Sequence, residues 1–385
     1  PNLRFPEFEG EWEKCKLGDK CDLLCGYAFD GKNIVEQGTY LLMRGINITE
    51  GIIRHSSELD RYYTGSVNNL AKYKLTTGDL VIGMDGSKVG RNSAIVSLTE
   101  NGSYLVQRVC RIKSCIGNDF LLQLVNNHKF HKYVDMVKTS SAIPHISLKD
   151  IQNFPIAVPS IQKEADKISK LFHLLDERIA TQNKIIDKLQ SLIKGIVDCT
   201  ILRKEKNAIV GDVCSISEQI RAEANIDDII TVRLHGNGVC KSSAENLQLG
   251  ATQYYRRRAG QLIYGKQNFH NGAIGIVPIS LDNGITSKDI PSFDIDEMKC
   301  NSVYLLAQLQ SPQYYKPAEA LTTGTGSKRL KEETFLKMPI VLPNKREQDN
   351  IAVLIHRASM NLDYAKRLLE LLSIQKQFLL RQMFI

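Results

Sequence analysis

Two stretches of this chain combine residue types that could meet a polyanion and read a polar edge. Asp85-Gly86-Ser87-Lys88-Val89-Gly90-Arg91-Asn92 follows an apolar run, and Lys266-Gln267-Asn268-Phe269-His270-Asn271-Gly272 follows a similar one. Lys88, Arg91 and Lys266 supply cations for phosphate or guanine. Asn92, Gln267, Asn268 and Asn271 supply amides able to pair with adenine, with His270 beside them. Two further loops are rich in hydroxyls and backbone N–H groups suited to phosphate. The first carries Lys138, Ser140, Ser141 and His145. The second carries Thr323, Thr325, Ser327, Lys328 and Arg329. Gly, Asn, Ser and Lys also fill plain solvated turns, so the weight lies in each kind of loop occurring twice. Arg256-Arg257-Arg258 is the densest basic run. Strand alternation sends Arg257 opposite to its neighbours, where it either faces phosphate or keeps an edge strand soluble. Tyr62-Tyr63 and Tyr254-Tyr255 read as core and rim rather than stacking groups.

Other chemistries lack their residues. Gly324-Thr325-Gly326-Ser327-Lys328 does not have the spacing of a nucleotide-binding P-loop, and no G-x-G-x-x-G follows a strand. The N-P-P-[FY] and D-P-P-[FY] signatures of an amino-methyltransferase are missing. Asp30-Gly31-Lys32 and Glu297-Met298-Lys299 resemble nuclease fragments but have no convincing upstream acidic partner. His128 and His131 form an i, i+3 pair without a third ligand and read as surface residues. None of the nine cysteines forms a C-x-x-C pair, so reduced thiols are expected rather than zinc. Ser, His and Asp are present, but nothing sets them as a triad. No metal and no cofactor is expected.

The elements that must position these loops come in duplicate. Leu17-Gly18-Asp19-Lys20-Cys21 is echoed by Val210-Gly211-Asp212-Val213-Cys214. The segment from Tyr73 to Gly83, with Gly78-Asp79-Leu80-Val81, is echoed from Tyr255 to Gly265, with Gly260-Gln261-Leu262-Ile263. Phe154-Pro155-Ile156-Ala157-Val158-Pro159 is echoed by Met338-Pro339-Ile340-Val341-Leu342-Pro343, and Glu164 to Ile168 by Glu347 to Ile351. Ordered matches at nearly constant offset indicate a duplicated domain plus helix, too long for a solenoid unit. Ala94–Leu98 and Ile274–Pro278 read as strands, and the proline-flanked segments as the closing strand of each domain.

A helix is expected after each closing strand. In the first, Ile161, Ala165, Ile168, Phe172, Leu175, Ile179, Ile186, Leu189, Ile193 and Ile196 alternate steps of four and three, with Gln182 a polar break. In the second, Ile351, Ile355, Ala358, Leu362, Ala365, Leu369, Leu372, Leu379 and Met383 do the same, with Lys376 the break. Such a seam asks for a partner helix, and the nearest is its sister; packing of each helix on its own domain is the alternative. Leu171, Leu174, Ile185, Leu192 and Val197 lie off the first seam. Leu354, Leu368, Leu371 and Leu380 lie off the second.

At 385 residues and 43% hydrophobic, the chain has room for two or three domains with real cores. Its net charge of +8 suits a polyanionic partner without requiring one. No apolar run approaches a membrane span. Pro1-Asn2-Leu3-Arg4-Phe5-Pro6 has the pattern of neither a signal nor a transit peptide, and a start without Met is expected of a trimmed chain. A cytoplasmic location is expected.

Domain, proline-flanked strand and long helix, then the same again, resemble the specificity subunit of a type I restriction-modification enzyme. The resemblance covers nearly the whole chain. It rests on the lead-in Phe5–Trp12 before Leu17-Gly18-Asp19, the G-[DQ]-L-[VI]-x-G strands, Phe154 to Ile168, and Met338 to Ile351. It implies an α+β fold: two similar mixed α/β target-recognition domains, 1–159 and 205–343, related by pseudo-two-fold symmetry. Two long antiparallel coiled-coil helices, 160–204 and 344–385, separate them. Each domain would read one half of a split double-stranded DNA sequence. Methyltransferase subunits, two of them, would dock on the helices and restriction subunits would join, leaving this chain without a catalytic site. A stand-alone DNA-binding or coiled-coil interaction protein is the other class. Apolar residues off the seam, namely Leu171, Leu174, Ile185, Leu192, Leu354, Leu368 and Leu371, favour recruitment of partners.

Overall fold

The computed structural model describes residues 1–242, 252–324 and 328–384. The chain forms two compact units, Pro1–Thr181 with Leu369–Ile385, and Gln182–Leu368. Both mix short strands with helices.

The strands of the first unit are β1 (Glu13–Lys16), β2 (Cys21–Cys25), β3 (Ile34–Val35), β4 (Tyr40–Met43), β5 (Tyr62–Tyr63), β6 (Leu80–Gly83), β7 (Ser93–Ile95), β8 (Tyr104–Leu105), β9 (Val109–Ser114) and β10 (Pro155–Val158). Its short helices are α1 (Leu17–Lys20), α2 (Asn118–Val125), α3 (His128–Val137) and α4 (Leu148–Gln152). The main sheet runs β2-β9-β6-β7, all antiparallel. Strand β6 is central and buried on both faces, which explains its unbroken apolar run. Leu80 and Ile82 enter one core with Trp12, Phe120 and Phe154, while Val81 enters a second with Met43, Ile48 and Leu75. A second sheet, β3-β5-β4-β8, carries an aromatic cluster around Phe29, Tyr63 and Tyr104.

A long helix, α5 (Gln162–Val197), leads into the second unit and ends in a π turn over Asp198–Leu202. There the strands are β11 (Ala208–Ile209), β12 (Cys214–Ile216), β13 (Arg221–Ala222), β14 (Ile230–Val232), β15 (Val239–Lys241), β16 (Tyr254–Arg256), β17 (Leu262–Tyr264), β18 (Ile274–Ile276), β19 (Ile285–Ser287), β20 (Ser292–Ile295) and β21 (Pro339–Ile340). Helices α6 (Ser302–Leu309), α7 (Pro312–Tyr315) and α8 (Glu332–Leu336) follow the sheet, and α9 (Lys345–Met383) closes the chain. The main sheet runs β12-β20-β17-β18, the same order in the duplicated numbering as in the first unit. Leu262 and Tyr264 point to one core and Ile263 to another, again the signature of a central strand.

The repeated motifs have local causes. In Gly78-Asp79-Leu80 the Thr76 N–H donates to the Asp79 carboxylate at 2.9 Å, and in Gly260-Gln261-Leu262 the Arg258 N–H donates to the Gln261 amide oxygen at 2.9 Å. Gly78 and Gly260 have φ of +90° and +87°, where a Cβ is strained. In Leu17-Gly18-Asp19 and Val210-Gly211-Asp212 the Asp accepts the main-chain N–H three residues back, from Lys16 and Ile209. The glycine makes close approach possible: a Cβ on Gly18 would lie 3.0 Å from the Gln152 Cβ, and one on Gly211 3.2 Å from the Leu336 carbonyl. The proline-flanked segments close each domain by pairing β1 with β10 and β11 with β21, both antiparallel.

Within each unit the two long helices pack side by side and antiparallel. In the first, Phe172 packs on Phe384, and Asp176 holds Lys376. In the second, Val197 and Ile201 join Ile351 and Ile355, and Gln182 meets Ala365. Both polar breaks in the seam are therefore paired. Three positions correct the periodic reading. Ile161 precedes the helix and is 44% exposed, because the N-terminal turn has not yet reached the partner. Val197 and Leu380, expected off the seam, are buried because each packs into the hydrophobic core of its unit.

Candidate nucleic-acid interface

In each unit, long-range backbone hydrogen bonds bring the two candidate loops together. In the first, the Ile146 N–H donates to the Met84 carbonyl at 3.0 Å, and the Gly86 N–H to the Pro144 carbonyl at 3.0 Å. Asp85 forms a β-bridge with His145. In the second, the Leu330 N–H donates to the Lys266 carbonyl at 2.9 Å, and Thr323 and Arg329 bridge each other. The loop after the central strand thus lies beside the loop before the short helix, α4 or α8, in both units.

The first loop pair presents exposed Lys88 and Ser140, with Arg91, Asn92 and His145 half-buried. Gly90, at φ +71°, sits where a Cβ would strike Val134, so the loop lies flat against α3. Thr139 organises the second loop: its hydroxyl contacts the Ser141 hydroxyl at 2.9 Å and the His145 Nδ1 at 3.0 Å, and accepts the His145 N–H at 3.0 Å. The basic groups have acidic partners, Arg91 and Lys88 across some forty residues and Lys138 three residues away. Arg91 pairs with Asp135 at 2.6 Å, Lys138 with the same carboxylate at 2.7 Å, and Lys88 with Glu50 at 3.1 Å. Hydrogen bonds from Lys138 and Arg91 hold the Asp135 carboxyl below the usual range. Such solvent-facing pairs are worth little and are screened by salt. A phosphate can therefore exchange for the carboxylate at modest cost.

In the second pair, Gln267 and Asn268 are exposed and His270 and Asn271 half-buried. Asn268 accepts the Asn271 and Ala273 N–H groups, closing a 3-10 turn over Phe269–Asn271 that ends on Gly272 at φ +75°. Lys266 is drawn inward onto Glu332 at 2.7 Å and keeps little exposure. Lys328 pairs with Glu319 at 3.1 Å and Arg329 with Asp289 at 3.2 Å. Thr323, Lys328 and Arg329 face solvent; Thr325 and Ser327 lie outside the described residues.

Arg257 corrects the sequence reading. It is fully buried. Its guanidinium donates to the Thr286 hydroxyl at 2.7 Å, the Ser292 hydroxyl at 2.9 Å and the Ile290 carbonyl at 2.9 Å. Burial among neutral groups pulls its pKa down to about 10. It is a structural cation under the sheet, and Arg256 and Arg258 are the exposed members of the run. The acidic partners Asp135, Asp289 and Glu319 were missed, because no motif marks which cation each carboxylate meets and two of the pairs, Arg91–Asp135 and Arg329–Asp289, span forty residues or more.

In each unit the long helices also carry apolar side chains outside the seam. Leu174, Ile185, Leu192, Leu354 and Leu371 are exposed, and Leu171 and Leu368 are half-buried. Met360, Tyr364, Ile374 and Phe378 extend the exposed apolar face of α9 beyond what the seam predicted. No described helix is long and apolar enough to cross a membrane. Among the described residues no group of three His, Cys, Asp or Glu side chains could hold a metal ion.

Paired basic and amide-bearing loops on an antiparallel sheet, repeated along one chain with long paired helices, define a duplicated α+β module. Residues 9–191 match the family described as type I restriction modification DNA specificity domain. Over 181 residues the chain is 31% identical to the type I restriction enzyme EcoAI specificity subunit of Escherichia coli; the match covers 45% of this chain and 29% of that protein. The chain therefore spans less than a third of that curated relative. The S subunit of a type I restriction-modification system from M. genitalium superposes with a TM-score of 0.67 at 12% identity, covering 100% of this chain and 99% of that one. A chain from a structure of type I restriction-modification complex assembly and conformational transition gives 0.52 at 13% identity, covering 98% of each. At these identities the likeness shows a shared α+β fold.

Proposed function

We propose that this chain is the DNA-specificity subunit of a type I restriction-modification complex, with no catalytic group of its own. The observation that carries the reading is the duplicated loop pair, closed by equivalent hydrogen bonds at Met84–Ile146 and Lys266–Leu330. A unit built twice, each time with cations and amides on one loop cluster, suits two separate segments of one duplex. In this reading residues 1–159 and 205–343 are the two target-recognition domains, and 160–204 and 344–385 the spacer helices. Lys88, Arg91, Asn92, Lys138, Ser140, Ser141 and His145 face one half-site. Gln267, Asn268, His270, Asn271, Thr323, Lys328 and Arg329 face the other. Tethering makes the second contact nearly intramolecular and multiplies two weak affinities.

The exposed apolar residues of α5 and α9 favour a subunit that recruits partners over a free-standing DNA-binding protein. They would receive the methyltransferase subunits that supply the chemistry, with restriction subunits joining the assembly. The test is base-modification mapping in a host that makes the chain with its methyltransferase partner. Lys88→Ala with Arg91→Ala should degrade one half of a split site, and Gln267→Ala with Asn268→Ala the other half. Base-specific damage to both halves by either pair would sink the model. The isolated chain should neither methylate nor cut DNA.

A further inference from the structure

The second unit carries a polar hairpin tip that the loop reading did not include. Strands β14 and β15 pair from Ile230↔Lys241 to Val232↔Val239 and leave Arg233-Leu234-His235-Gly236-Asn237-Gly238 as the connection. Its backbone is pinned to the end of the candidate loop. The His235 N–H donates to the Asn271 carbonyl at 2.8 Å, and the Gly236 N–H to the Gly272 carbonyl at 2.9 Å. The hairpin also packs on β18, where a Cβ on Gly275 would fall 2.9 Å from Val239.

His235 is held at φ +59°, a left-handed conformation uncommon for any residue but Gly, with Gly236 at +70° next to it. Glycine would serve that turn with less strain; the imidazole borders an open cleft that Lys194 and Gln310 also line. The Arg233, Leu234, His235 and Asn237 side chains are exposed; the Arg233 Nε donates to the Cys240 Sγ at 3.1 Å and the Asn237 amide to the Leu234 carbonyl at 2.9 Å, which orders the tip and leaves the Arg233 terminal nitrogens and the Asn237 amide oxygen free to meet a ligand. No acidic residue lies between Arg233 and Gly238. A cation, an aliphatic group, a ring nitrogen and an amide are the groups that meet phosphate, the thymine methyl and the polar edges of bases. The first unit repeats the placement with different residues: the Gly51 N–H donates to the Ser93 carbonyl at 2.8 Å, fixing a segment with exposed Ile52 and Arg54 beside its own loop.

We propose that the 233–237 tip is a third, specificity-determining element of the second DNA-reading surface, with His235 and Asn237 reading base edges and Arg233 the adjacent phosphate. The inference rests on the DNA-specificity reading above. It places part of the sequence preference on a segment roughly thirty residues before the loop it supports.

The test uses the full chain assembled with its methyltransferase subunits and a library of duplexes randomised across the binding site. His235→Gly keeps the left-handed turn without strain and removes only the ring; His235→Asn keeps the turn and a hydrogen-bonding group. With the unaltered chain the selection should yield a split sequence. His235→Gly should lower discrimination on the order of ten-fold at one or two base pairs of one half-site and leave the other half unchanged. His235→Asn should alter the preferred base at those same positions. A split sequence selected identically by all three chains would overturn this inference and leave the underlying reading standing. Failure of the unaltered complex to select any sequence would overturn both.

Discussion

The Gln182 side-chain amide donates to the Ala365 main-chain carbonyl at 3.0 Å, inside the apolar seam between the two long helices. Gln182 is 8% exposed and Ala365 3%. A single buried polar group in such a seam fixes register at some cost in stability. The Ala365 carbonyl already sits within the helix ladder, so removing Gln182 orphans no acceptor. Gln182→Leu is therefore expected to leave the melting temperature unchanged or raise it, by about 1 kcal/mol at most. Differential scanning calorimetry checks this. A loss of more than about 1 kcal/mol would show that the amide contributes net stability.

His55 predicts a pH dependence. Its Nε2 lies 2.9 Å from Glu100 and its Nδ1 3.1 Å from Asp60, so both nitrogens donate only when the ring is protonated. Burial disfavours that cation, but the hydrogen bonds to Glu100 and Asp60 outweigh it and raise the His55 pKa. A raised folded-state pKa contributes stability that is fully present below about pH 6.5 and is lost as pH climbs through the folded value. Glu100 works in the opposite direction. Burial raises its pKa, but hydrogen bonds from Ser97 and His55 lower it further, so its contribution fades as pH falls below about 4.5. Melting curves of the native chain and His55→Gln should converge as pH rises above about 6.5 and passes the raised folded-state pKa of His55. A gap independent of pH would remove His55 from this role.

Arg257 should behave as a core residue. Arg257→Ala leaves the Thr286 and Ser292 hydroxyls without their guanidinium donor, takes one of two donors from the Ile290 carbonyl and opens a cavity, for a loss of roughly 2–4 kcal/mol. Arg256→Ala and Arg258→Ala, on exposed positions, should stay within about 0.5 kcal/mol. Chemical denaturation of the three variants makes the comparison. Equal stability for all three would mean that Arg257 is not buried in solution.

The exposed apolar face should matter for assembly and not for folding. Polar replacement of Leu174, Ile185, Leu354 and Leu371 should weaken co-purification of a methyltransferase subunit, with about 1.5–3 kcal/mol at stake for each side chain that the contact buries. The melting temperature should hardly move, because these side chains already face solvent. Undiminished co-purification by the fourfold variant would place the docking surface elsewhere.

Patterns that depend on near neighbours were legible in the sequence. Steps of three and four mark what each long helix buries, so Phe172 and Leu372 could be placed in the seam from spacing alone. The duplicated Gly-Asp and Gly-Gln turns could be matched because their hydrogen bonds close within three residues. Gln182 and Lys376 stood out as breaks for the same reason. Tertiary structure decided what depends on partners distant in the chain. Arg257 alternates correctly with its neighbours, yet its face turned out to be the interior, lined by hydroxyls some thirty residues away. Asp135 fastens Arg91 across 44 residues, and Asn271 receives the His235 N–H from the preceding hairpin. A sequence states which side chains share a face through local geometry. Which surface that face meets is set only when the chain closes on itself, by contacts whose separation carries no periodic signal.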